Sequence, residues 1–294
     1  MVSILGVFLV IACVLAGFLM EKGKIGVLMQ PAELVIIAGA AIGTILAANP
    51  IYTLKRILDR LIGVLKGPEF PQKRYVETLK MLFDLLAKSR KEGAIAIEGD
   101  VETPAKSPIF SRYPEFLKNH HALNFVCDTL RMAISGGLSP HDIDQMMDLD
   151  IEVHGKSAHQ PIQALTTVAD ALPGLGIVAA VLGVVVTMGA LGGPPEEIGH
   201  KVAAALVGTF LGILLCYGVV GPLASKMGKA VEDEHAYYHV LRVVLLAFVK
   251  GTSPIMAVEI GRRAIPEHCR PTFVEVEKAC RQKAAQKMPE SAIA

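Results

Sequence analysis

The sequence predicts an all-α integral membrane protein with four transmembrane helices, a helical cytoplasmic domain between the second and third, and a helical C-terminal tail. Three observations carry this reading. Residues 2–20, 34–48, 171–191 and 202–224 contain no charged side chain. The chain is 52% hydrophobic but only 5% aromatic, with no Trp, so its apolar content is aliphatic and concentrated in those runs; mean hydropathy is +0.46. The remaining segments repeat apolar residues at helical spacing rather than alternating them. A net charge of +1, from 29 basic and 28 acidic residues, sets up no field that would recruit nucleic acid.

Taken in order, the first run begins at Val2 with no Lys or Arg ahead of it, and the Val10 to Cys13 stretch is a poor lipoprotein cleavage site. It is expected to be a retained span. A spanning helix needs about 20 apolar residues; the second run falls short unless it extends through Pro50 to Leu54. Next, Ile51, Leu54, Ile57, Leu58, Leu61, Ile62 and Leu65 form one face of a helix expected to continue down from the membrane. Residues 75–91 and 123–135 repeat the pattern, the latter ending at Gly136 and Gly137, with an irregular, proline-containing connector at 103–114. Asp170 is expected to cap the third span, with Pro173 in its first turn, and Pro222 to close the fourth. A long polar helix then runs from 223 to 249, where residues 243–249 are too short to span, and the C-terminal end reads as frayed. This divides the chain into an N-terminal hairpin (1–50), a cytoplasmic domain (51–170), a second hairpin (171–224) and a tail (225–294). Fifteen Lys and Arg lie in 51–170 and eleven after 224, against three in the short connections, so the large segments and both termini are expected in the cytoplasm.

Lipid gives helices little hydrophobic reason to associate, so small residues mark their contacts. Gly39 and Gly43 form a GxxxG in the second span; Ala179, Gly183 and Thr187 line the third, and Ala204, Gly208 and Gly212 the fourth. Plain packing within the chain accounts for any one stripe, but stripes on both later spans offer more surface than one hairpin uses. No span as delimited carries an ionisable side chain, whereas a proton path across a membrane needs one. Alone the chain reads as a poor proton carrier, although it could still supply the wall of a path whose titrating carboxylate belongs to a partner. No P-loop, GxSxG or HExxH is present, and the five cysteines have no metal-ligand spacing. His235 with His239, His154 with His159, and His120 with His121 read as solvated polar faces. No enzyme, cofactor or metal site is expected.

Residues 31–40 (PAELVIIAGA), 87–90 (AKSR), 172–180 (LPGLGIVAA), 207–215 (VGTFLGILL), 221–224 (GPLA) and 257–262 (AVEIGR) resemble the MotA family of flagellar motor stator subunits, within the MotA/TolQ/ExbB proton channels. TolQ and ExbB have three spans, so the extra N-terminal hairpin favours the motility branch. The resemblance implies an inner-membrane stator in which five copies surround a MotB dimer that supplies the channel aspartate, working against the rotor switch protein FliG. Position by position it implies rotor contacts at Arg90 and Glu98, gating at Pro173 and Pro222, and a channel-lining hydroxyl at Thr209. Sodium-driven relatives have Thr at the position of Ala180, so loss of that oxygen implies H+ as the transported ion.

Overall fold

The computed structural model describes residues 2–67, 69–189 and 191–285, and among these there is no strand. Four helical segments are long and apolar enough to cross a membrane. The chain divides into two compact units, Met1–Pro68 with Ser157–Val231, and Glu69–Lys156 with Glu232–Ala294.

In the first unit, α1 (Val2–Met20) is apolar all round and largely exposed, as a lipid-facing helix should be. A short turn, α2 (Ile25–Leu28), leads into α3 (Pro31–Ala48), whose first position is a proline, where the missing N–H costs nothing. The second span thus gains its length at its start and not through Pro50. Asn49 is extended (φ −132°, ψ 145°), because a residue before proline avoids the helical region. The amphipathic α4 (Ile51–Lys66) is consequently a separate helix, not a continuation of the span. Its Leu61 and Val64 pack on Ala158, Ile162, Met227 and Val231.

The third span is also longer than its apolar run. It forms the end of α9 (Pro140–Met188), which begins where Ser139 and Asp142 cap each other reciprocally: Asp142 N–H donates to Ser139 Oγ at 3.2 Å and Ser139 N–H to Asp142 Oδ2 at 3.0 Å. Asp170 therefore caps nothing, and Pro161 and Pro173 lie inside the helix. The fourth span is α10 (Pro195–Leu214), a wider π turn over Leu215–Val220, then α11 (Gly221–Val249). An interior proline normally costs about 3 kcal/mol, because its ring meets the carbonyl four residues earlier and gives it no N–H. Widening the ladder just before Pro222 relieves that clash.

Spans three and four meet through backbone. A Cβ on Gly212 would stand 2.6 Å from Leu172 O and 2.9 Å from Gly176 Cα, one on Gly176 would stand 2.8 Å from Gly208 O, and one on Gly183 would stand 2.7 Å from Ala205 Cβ. The stripe read from the sequence is correct in kind but shifted: Gly176 joins it, and Ala205 rather than Ala204 faces Gly183. Gly39 and Gly43 meet nothing within 4 Å among the described residues.

The second unit buries Tyr75, Leu79, Leu82, Leu85 and Leu86 of α5 (Gln72–Glu92) against α8 (His120–Ser135), the first turns of α9, the end of α11, and α12 (Pro254–Ala264). Val244 and Leu245, in the run too short to span, belong to this core. The 103–114 connector contains two 3-10 turns, and α13 (Phe273–Ala285) closes the described chain. The frayed end expected after it lies outside the described residues.

His121 stacks on His154 with ring centroids 3.9 Å apart. Among the described residues its Nε2 is buried without a hydrogen bond, and Asp150 Oδ1 lies 3.9 Å away. His154 Nε2 lies 3.0 Å from Glu234 Oε1. Burial, and then the neighbouring His154, hold His121 below the usual imidazole range, against the opposing pull of Asp150 and Glu234.

Two outcomes follow from this packing. Gly212→Val should destabilise the chain by about 1–3 kcal/mol through overpacking, whereas Gly63→Ala, on an open face of α4, should be neutral or stabilising; thermal unfolding in detergent followed by circular dichroism compares them. The unfolded chain takes up a proton at His121 near pH 6.5, before the folded chain does, so stability present above that value is lost as pH falls through the depressed folded value. The unfolding temperature should drop between about pH 7.5 and about pH 5.5, and drop less in His121→Phe.

Candidate functional site

The seam between spans three and four is the structural base of the candidate ion path. Ala180 and Thr209 lie beside it, both half-buried. The backbone N of Ala180 is 3.2 Å from where a Cβ on Gly208 would stand, which sets Ala180 across from the 208–209 step. The Thr187 hydroxyl donates to its own helix, to Gly183 O at 2.8 Å. That of Thr209 makes no hydrogen bond among the described residues, so it is available to water or an ion.

Sequence reasoning missed one residue here. By starting the second span at Leu34 it placed Glu33 in the connection. In the structure Glu33 occupies the first turn of α3 and is 6% exposed. Its Oε1 is 3.3 Å from the Cβ position of Gly183 and its Oε2 is 2.7 Å from that of Gly208. The expectation that the spans hold no ionisable group is corrected: this chain has a carboxyl against the seam, and its Oε2 is buried without a hydrogen-bond partner. A signal was available, since Glu33, Ile37 and Ala41 fall four apart and form the buried stripe of α3.

At the other end of the seam, Pro222 borders a groove of about 350 Å³ lined by Ile162, Asp170, Cys216, Tyr217 and Gly221 among others. The π turn and the proline both sit on this groove, where the hydrogen-bond ladder of the fourth span is interrupted. Pro173 lies next to Leu172, whose carbonyl faces Gly212. The two prolines therefore flank the last close contact of the seam.

Arg90 and Glu98 belong to the second unit. Arg90 sits in the last turn of α5, where a cation suits the helix dipole, and Glu98 opens α6 (Glu98–Glu102), where an anion does. Both are exposed, and neither forms an ion pair among the described residues. Between them Gly93 adopts φ 93°, a conformation that favours glycine. The elements carrying the two charges are clasped from beneath. Lys88 Nζ is 2.7 Å from Asp100 Oδ2, the Ser107 hydroxyl donates to Asp100 Oδ1, and Ser107 Oγ accepts from the N–H of Ile109 at 3.1 Å and of Phe110 at 3.3 Å. Arg90 also borders a groove of about 370 Å³ with Ala94, Ile97, Phe248 and Val249.

Among the described residues no group of three or more His, Cys, Asp or Glu is placed to hold a metal ion.

Residues 4–93 match the family described as Motility protein A N-terminal. Residues 118–239 match the MotA/TolQ/ExbB proton channel family. The chain is similar to Motility protein A of Escherichia coli, 40% identical over 281 residues that make up 96% of this chain and 95% of that protein. It is also similar to the chemotaxis protein LafT of Vibrio parahaemolyticus, at 36% identity over 95% of this chain and 98% of that one. Among solved structures, C. jejuni MotAB matches with a TM-score of 0.74 at 17% identity, covering 90% of this chain and 95% of that one. The flagellar MotAB stator complex of Bacillus subtilis matches with a TM-score of 0.69 at 22% identity, covering 98% and 95%. These last two establish the fold. With near-complete coverage at 40% identity and four helices able to cross a membrane, the chain is an inner-membrane protein that belongs to the motility protein A family, within the MotA/TolQ/ExbB proton channels.

Proposed function

We propose that this chain is a flagellar motor stator subunit that forms, with MotB, a proton channel and converts ion flow into torque on the rotor. The observation that carries the proposal is its 40% identity over nearly the whole chain to a motility protein A. The glycine seam between spans three and four, a ready channel wall, supports it. Five copies surround a MotB dimer, whose aspartate titrates in the channel. Gly39 and Gly43, unused within the chain, supply a face for another helix of that assembly. The cytoplasmic domain (51–170) and the tail (225–294), with both termini, lie in the cytoplasm, where the Lys and Arg bias puts them. Ala180 offers no side-chain oxygen opposite Thr209, which favours H+ over a sodium ion that must exchange its water for several oxygen ligands.

Each proton crossing 100 mV makes about 2.3 kcal/mol available. Neutralising the MotB aspartate removes a charge from the channel and biases the packing of spans three and four, whose ladders are interrupted at Pro173 and Pro222. The shift reaches Arg90 and Glu98, which press on opposite charges of FliG. Exposed ion pairs are worth about 0–1 kcal/mol, so these contacts set register and steer engagement, and release remains easy.

Deletion of the gene should leave cells paralysed with normal filaments, scored by soft-agar swimming and microscopy; swimming cells with defective outer-membrane uptake would instead indicate a TolQ/ExbB-like role. Arg90→Glu should cut torque and be partly rescued by charge reversal on FliG, with no rescue by any rotor charge counting against contact. Asp100→Ala leaves Lys88 and Ser107 without their buried acceptor at a cost of about 1–3 kcal/mol, so torque in a bead assay should fall although Arg90 and Glu98 are both present. Removing sodium at constant proton-motive force should not slow rotation.

A further inference from the structure

The carboxyl of Glu33 has no role in the reading above, and its surroundings are unusual. It is 6% exposed, and its Oε2 has no hydrogen-bond partner. The glycines it faces are part of its site: a Cβ on Gly208 would fall 2.7 Å from Oε2 and one on Gly183 would fall 3.3 Å from Oε1, so two absent side chains make room for it. Among the described residues no cation pairs with it. The membrane portion of α9 carries no charge between Asp170 and Met188. The outer turns of α10, which packs on α2 and α3, carry Glu196, Glu197, His200 and Lys201, but Lys201 is engaged with Glu197 at 3.0 Å. Lys22 and Lys24 precede α2, and neither pairs with Glu33 among the described residues. An ionised carboxylate so placed is strongly disfavoured and reaches a tolerable state by taking a proton. Ionisable groups inside membranes mark ion pathways for that reason.

We propose that Glu33 is a proton-binding site of this chain's own, set in the seam beside Ala180 and Thr209 and on the side of the short connections, ahead of the partner's aspartate. The inference rests on the proton-channel reading. In each passage Oε2 accepts a proton from a hydrated proton on the outer side, forming Oε2–H and releasing water. It then gives that proton to a water on the Thr209 side and returns to the carboxylate. No electrons move and no bond other than O–H changes. Gly208 acquires a second duty, keeping clear the space that the carboxyl fills.

The test uses the full chain together with MotB. In the purified complex in lipid, infrared spectroscopy should show a protonated-carboxyl C=O band that shifts in D2O, disappears in Glu33→Gln and moves in Glu33→Asp. A band unchanged in both variants would show that Glu33 is not the protonated group and would overturn the site. In cells lacking their own stators, Glu33→Gln should reduce low-load rotation at least about tenfold at unchanged membrane level, with Glu33→Asp intermediate. Rotation of Glu33→Gln equal to the unaltered chain at acidic, neutral and alkaline external pH would reduce Glu33 to a neutral packing group. Failure of the unaltered chain to drive rotation would remove the channel reading and this relay with it, whereas the infrared result reports on the protonation alone.

Discussion

Within the membrane part of this chain, the backbone contact between the third and fourth spans is the constraint on which the rest depends. Lipid removes the hydrophobic reason for two helices to meet, so close van der Waals contact and internally satisfied polar groups must hold them together. Gly176 and Gly212 let carbonyls and Cα atoms of the facing helix come where any side chain would collide, and Gly208 leaves room for the Glu33 carboxyl. That approach fixes the register of the pair. Register in turn sets Ala180 across from the 208–209 step, and it opens beside Gly183 and Gly208 the space that Glu33 fills. A shift of one residue along either helix would close that space and turn Thr209 away.

The same pair is built to resist change at the seam and to yield beyond it. Pro161, Pro173 and Pro222 deny the carbonyls of Ser157, Ala169 and Gly218 their usual helical donors. The π turn at Leu215–Val220 adds a stretch in which the ladder is already rearranged. Helices bend most cheaply where hydrogen bonds are missing. Close-packed contacts, by contrast, switch between discrete arrangements rather than deforming gradually. A charge change in the wall is thus felt as a choice between packings, and the bending that follows falls on the proline-containing turns.

Much of this was legible in the sequence, because charge-free runs of aliphatic residues and helical apolar spacing are strong signals. The fold class, the four spans, the end of α8 at Gly136 and the end of α11 at Val249 were all legible there. The misread helix starts share one cause: an apolar run delimits where lipid is met, whereas a helix ends where backbone hydrogen bonds fail. The second span was therefore begun at Leu34, after Glu33, although Pro31 opens the helix. The third is read as beginning at Ala171 with Asp170 as its cap, although α9 starts at Pro140. Ala205 was passed over for Ala204 because both are small, and only the facing helix decides which of them is covered. Gly176 lies three residues before Ala179 and so outside the four-residue spacing of Ala179, Gly183 and Thr187. Gly39 and Gly43 show the reverse limit, since a motif plain in the sequence meets nothing within 4 Å among the described residues.

In the second unit stiffness decides what the exposed charges can do. Arg90 and Glu98 are exposed, so each contributes little to affinity for anything it meets. What a weak contact can do is transmit a push, and it does so only if its own base does not give. The clasp supplies that base. Asp100 is buried between Lys88 and Ser107, and Ser107 holds two further N–H groups, so the chain on both sides of the exposed Gly93 turn is tied to one point. An apolar pair of the same volume could pack there with equal stability, but it would fix no direction. A charged donor and a carboxylate with both oxygens engaged do fix one. Ser89 and Ile97, each next to one of the two charges, are buried, so the side chains that point outward stand on residues that cannot move without opening the core.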